Sequence, residues 1–130
     1  MLYESTRGKV KDLASADVIK TGIASDGGLF VPENIVKLSL GQQEQLSKLD
    51  YRNLALFIIK QYLSDFNELE LYKSIISAYN LEKFESNEIV PLHKLNESSC
   101  ILELWHGPTC AFKDLALQLL PYLMVQAVYK

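Results

Sequence analysis

Histidine and cysteine are scarce in this sequence, with two residues of each. Two histidines cannot build a three-histidine metal site. Cys100 and Cys110 are too few and too far apart for a metal ligand set, and they read as reduced thiols in a reducing compartment. No apolar run approaches the roughly 18 residues of a membrane span, and the first residues lack a charged-then-apolar secretion signal, so a cytoplasmic protein is the expectation. Positive charge is not gathered anywhere. Thirteen scattered lysines and arginines against sixteen acidic residues give a net charge of −3, which argues against nucleic acid as a partner. GxGxxG and Walker patterns are absent, as are internal repeats and low-complexity tracts. What is present suffices for one domain: 130 residues, 48% of them hydrophobic, can fill a core.

Taken in order, Leu2 to Thr6 alternates as a short strand, and Arg7-Gly8 turns the chain out of it. Asp12 to Lys20 reads as a small helix with Ala14, Val18 and Ile19 inward and Gly22 as a left-handed stop. Ser25-Asp26-Gly27-Gly28 is a tight turn before a strand at Leu29 to Val31, which can pair with the first strand and ends at Pro32. Ser39 to Lys48 holds one short helix. Asp50 caps a longer one from Tyr51 to Leu63, apolar nearly all round and therefore expected between other elements. A helix from Glu68 to Tyr79 carries Leu69, Tyr72, Ile75, Ile76 and Tyr79 on one face. Asn80 to Asn87 is a polar connection, Ile89 to Leu92 is extended, and His93 is expected at the surface.

The stretch from Leu102 to Gln118 carries the chemistry. Cys100-Ile101-Leu102 with Leu104 predicts a short buried strand, which Gly107-Pro108 must end. A helix is then expected from near Cys110, with Thr109 as its N-cap, Asp114 complementing its positive end, and Pro121 kinking it farther on. Lys113 falls in the first turn of that helix. Unpaired N–H groups and the dipole place roughly half a positive charge there. With Phe112 and Ala116 as apolar neighbours, this field predicts a lowered pKa and a larger neutral amine population, as a carbonyl-attacking lysine needs. The plainer reading, that Lys113 pairs with Asp114 or reaches into solvent, is the one spacing alone favours, since most lysines near helix starts are solvated surface residues.

The block Glu103-Leu104-Trp105-His106-Gly107-Pro108-Thr109-Cys110-Ala111-Phe112-Lys113-Asp114 resembles the segment around the cofactor lysine of the threonine synthase family, among the fold-type II pyridoxal phosphate enzymes. Ala24-Ser25-Asp26-Gly27-Gly28-Leu29-Phe30-Val31-Pro32-Glu33 is similar to the family's amino-terminal signature, and Tyr3 to Gly8 resembles its opening strand. The resemblance implies an α/β fold. A small N-terminal helical domain with a short sheet, residues 1–90, leads into the first strand and helix of a fold-type II pyridoxal phosphate domain, residues 91–130. It also implies pyridoxal 5'-phosphate (PLP) held by Lys113, with O-phosphohomoserine and water converted to threonine and phosphate. Lys113, displaced from the cofactor by the substrate amine, would then move protons. His106 and Thr109 are candidates for lining the pocket. Strand-end capping for His106 and helix capping for Thr109 are their structural alternatives.

Members of that family are far longer, and the apolar helical pattern still runs at Tyr129-Lys130, so an amino-terminal portion of such an enzyme is expected. The glycine-rich loop for the cofactor phosphate and the polar partner of the ring nitrogen would then lie beyond Lys130, leaving this chain a poor binder of PLP without turnover. Leu119, Leu123 and Val128 are expected to form an exposed apolar face that favours self-association. Two alternatives stay open. One is a threonine synthase-like phospholyase that releases phosphate and a keto acid; the other is a non-catalytic assembly domain, in which Lys113 has no chemical role.

Overall fold

A computed structural model describes residues 1–130. Strand β1 (Tyr3–Ser5) pairs antiparallel with β2 (Phe30–Pro32), Tyr3 opposite Pro32 and Ser5 opposite Phe30. Pro32 stands at the end of an edge strand, where its missing N–H disturbs no ladder. Between the strands lies helix α1 (Ser15–Thr21), stopped as expected at Gly22 with φ 73°. It begins three residues later than the sequence predicts. Asp12 has φ 60°, a conformation no helix interior takes, and Leu13 bridges to Tyr3 instead. Ala14, at the N-cap, has no side chain to offer the helix. Asp65 supplies the missing cap from another loop, accepting the Ala16 N–H at 3.0 Å and the Ser15 hydroxyl.

Helix α2 (Leu40–Leu46) opens on a capping box: the Ser39 hydroxyl accepts the Gln42 N–H at 3.3 Å, and the Gln42 side chain accepts the Ser39 N–H at 2.9 Å. Asp50 caps helix α3 (Tyr51–Tyr62) through the Asn53 N–H at 2.8 Å, and Asn67 caps α4 (Glu68–Ala78). Contrary to the expectation of an enclosed helix, no residue of α3 is buried. Ala55, Leu56 and Ile59 rest on the core, while Leu54, Phe57 and Ile58 on the opposite side are only partly covered.

The inner face of α4 also differs from the predicted one. Leu71, Ser74, Ile75 and Ala78 are buried, whereas Leu69 and Ile76 are exposed. The observed stripe follows i, i+3, i+4, i+7 and admits Ser74 because its hydroxyl has partners. It donates to the Glu70 carbonyl at 2.9 Å and accepts from Gln126 Nε2 at 2.6 Å. Around this stripe gather Ala16, Phe66, Tyr79, Phe84, Ile89, Leu119, Leu123 and Ala127. Full burial of an aliphatic or aromatic side chain contributes roughly 1.5–3 kcal/mol each. Phe84 anchors the turns that the sequence presents as a polar connection.

The last third holds the antiparallel hairpin β3 (Leu92–Lys94) and β4 (Cys100–Leu102), then α5 (Asp114–Leu117) and α6 (Leu120–Val128). Every residue of both strands is exposed, His93 included, so the buried strand expected at Cys100–Leu102 is not found. Two strands alone cover neither of their own faces, and no helix lies across them. Pro121 does not kink a long helix. The chain breaks at Gln118-Leu119, and Pro121 sits in the first turn of α6, where a missing N–H leaves no helical bond unmade. Helix α6 packs on α1 and α4, which buries Leu119 and Leu123; of the expected apolar face only Val128 is exposed. No helix is long and apolar enough to cross a membrane.

Candidate functional site

Lys113 lies at the end of a loop that begins at Gly107. The Cys110 N–H donates to the Gly107 carbonyl at 3.0 Å, and Cys110 itself has φ 55°, which reverses the chain. This left-handed residue is incompatible with a helix starting at Cys110. Helix α5 starts instead at Asp114, and Lys113 occupies its N-cap position with φ −63° and ψ −21°. A four-residue helix has little macrodipole, so the field argued from the sequence has little to act through.

Thr109 does not cap a helix. Its N–H donates to Asp114 Oδ2 and its hydroxyl to Asp114 Oδ1, both at 2.8 Å. Asp114 is only 1% exposed. Burial opposes its ionisation, but the N–H and hydroxyl of Thr109 and the N–H of Ala111 outweigh that, holding its carboxyl below the ordinary range. Gly107 makes this arrangement possible: a Cβ there would lie 2.5 Å from the Asp114 Cβ and 2.7 Å from Oδ2.

With both oxygens of Asp114 taken by Thr109, the Lys113–Asp114 ion pair does not form. The Lys113 side chain is exposed and its amine has no hydrogen bond or ion pair within the chain. Behind it, Tyr79 fastens α5 to the end of α4, its hydroxyl donating to the Leu115 carbonyl at 2.6 Å. Burial pushes the Tyr79 phenol upward, with Tyr51 standing edge-on at 5.0 Å. The sequence places Tyr79 on the inner side of its helix, and a buried phenol requires an acceptor, but the acceptor is 36 residues away.

His106 faces the other way. Its Nε2 lies 2.7 Å from Glu103 Oε2, and its ring stacks beside Trp105 at 5.8 Å. With Leu81, Lys83, Glu85, Gly107 and Cys110 it borders a cleft of about 250 Å³ that neither Lys113 nor Thr109 lines. The structure thus joins Thr109 to the Lys113 turn through Asp114 and sets His106 at the start of the same loop. The turn at Ser25–Gly28 is closed on itself. Asp26 is held below the usual carboxylate range by the Ser5 hydroxyl at 2.6 Å, then by the Gly28 N–H at 2.9 Å, so that amide is not open to an anion.

As the attachment point for an aldehyde cofactor such as PLP, Lys113 fits. It is an exposed primary amine with no competing partner, on a backbone fixed at both ends.

Residues 2–79 match the family described as threonine synthase N terminus. The chain is 38% identical to threonine synthase of Pseudomonas aeruginosa over 131 aligned positions, covering 100% of this chain and 28% of that protein. It is 36% identical to human threonine synthase-like 1, over 96% of this chain and 17% of that one. Among solved structures, PLP-bound threonine synthase from Brucella melitensis superposes with a TM-score of 0.91 at 32% identity, over 99% of this chain and 28% of that one. The chain thus spans 28% or less of the length of these curated relatives.

Proposed function

The chain belongs to the threonine synthase family, and from that premise we propose that it serves as the amino-terminal region of a PLP-dependent lyase converting O-phosphohomoserine and water to threonine and phosphate. In this reading residues 1–90 are the amino-terminal domain and residues 91–130 begin the cofactor-binding domain, in a cytoplasmic enzyme.

The observation that carries the reading is the free amine of Lys113, exposed and without a partner beside a buried and fully engaged Asp114. Lys113 would hold the cofactor through its unpaired amine. PLP supplies the electron sink that stabilises negative charge at a substrate carbon. Lys113 Nζ would then serve as the base and acid that moves protons at the reacting carbons. Thr109, bonded to Asp114, steadies the Lys113 turn, whereas His106, held by Glu103 at the start of the same loop, borders a separate cleft.

The test is product analysis with O-phosphohomoserine, using the polypeptide that carries this region at its amino-terminal end and its Lys113→Ala variant. Threonine and phosphate formed by the first and not by the second is the expected result. Equal turnover by both contradicts the reading. A second reading is a threonine synthase-like phospholyase. Phosphate accompanied by a keto acid in place of threonine would favour it.

A further inference from the structure

Four lysines of this chain stand within salt-bridge distance of a carboxylate: Lys11 with Glu4, Lys20 with Asp17, Lys60 with Glu68 and Lys73 with Glu70. Lys113 follows another pattern. Its sequence neighbour is a carboxylate, yet that carboxylate is buried and bonded through each oxygen to Thr109. The same two bonds tie the loop shut, because Thr109 stands near its start and Asp114 at its end. Gly107 leaves the space that Asp114 fills, with no room for a Cβ between them.

Building on the reading of Lys113 given above, we propose that Thr109 and Asp114 are positioning residues, a clamp that sequesters the nearest carboxylate and fixes the turn so that the Lys113 amine is presented unpaired. Neither touches the reacting atoms. Their effect is on how often the amine is free and correctly placed, which is the orientation component of reactivity. The Thr109 hydroxyl is the part of the clamp that side-chain chemistry can remove with the least disturbance. Valine keeps its shape and loses the donor, whereas serine keeps the donor.

The experiment exposes the polypeptide that carries this region at its amino-terminal end to limiting PLP, reduces with borohydride, and maps the labelled peptides by mass. The label on Lys113 is expressed relative to Lys48 and Lys94, exposed lysines on other segments of the same molecule. The wild-type chain is expected to favour Lys113. Thr109→Val is expected to lower the ratio by about tenfold or more, the factor that one lost hydrogen bond to a charged group produces. Thr109→Ser should restore the ratio to within about twofold, because it returns the same donor. Circular dichroism establishes that each variant is folded, and Thr109→Ala replaces the valine variant should that one fail to fold. A wild-type preference that survives loss of the hydroxyl overturns the clamp alone. A wild-type chain that labels Lys113 no faster than Lys48 contradicts the cofactor reading and the clamp with it.

Discussion

The Tyr79 hydroxyl donates to the Leu115 carbonyl at 2.6 Å, fastening the end of α4 to the helix that follows Lys113. Tyr79→Phe removes the donor and leaves that carbonyl without its side-chain partner. We expect the unfolding free energy to fall by about 1–3 kcal/mol, the cost of unpairing a polar group in a part-buried site. Urea denaturation followed by circular dichroism measures it, and an unchanged midpoint would show that the bond contributes nothing.

Two glycines separate steric from conformational effects. Gly107→Ala drives a methyl group into Asp114 and is expected to destabilise by about 1–3 kcal/mol. Gly41→Ala, within α2 and with nothing near its Cβ position, is expected to stabilise by about 0.5–1 kcal/mol. Thermal unfolding of the two variants should therefore shift in opposite directions.

The face of α4 is tested by a matched pair. Ile75→Ala empties a fully buried site and should cost about 2–5 kcal/mol. Leu69→Ala, at an exposed site on the same helix, should stay within about 0.5 kcal/mol of wild type. Similar losses at both positions would return the helix to the face predicted from its sequence.

Acid stability follows from three carboxylates, Asp26, Asp65 and Asp114, each held below its ordinary range. For Asp65, burial opposes ionisation, but the Ser15 hydroxyl and the Ala16 N–H outweigh it. Each pKa is lower folded than unfolded, so the unfolded chain binds more protons as pH falls. The stabilisation is therefore present above the unfolded value of about 4 and is lost as pH drops through the folded values. The urea midpoint should decline as pH falls below about 5, and Asp65→Asn should make that decline shallower. An identical pH profile in the variant would contradict the assignment.

Local chemistry was legible in the sequence wherever cause and effect lie a few residues apart. Gly22 stops α1, Asp50 starts α3, and the turn at Ser25–Gly28 returns a strand to the first one. Distant partners were not. Ser74 is buried because Gln126 reaches it from 52 positions away, which turns the inner face of α4 from the predicted one. Leu119 and Leu123 are core residues because α6 lies on α1 and α4, a packing that no helical periodicity encodes. At the site, the importance of Lys113 came from resemblance to a family motif. Its physical setting came from Asp114, whose carboxylate turns to Thr109 rather than complementing a helix end.

The most direct test of the central claim, that Lys113 is the lysine which holds PLP, is a visible absorbance titration of PLP into the polypeptide that carries this region at its amino-terminal end and into its Lys113→Ala variant. The account predicts an absorbance band in the first that is missing in the second, while both remain folded by circular dichroism. A band of equal strength in the two proteins would contradict it.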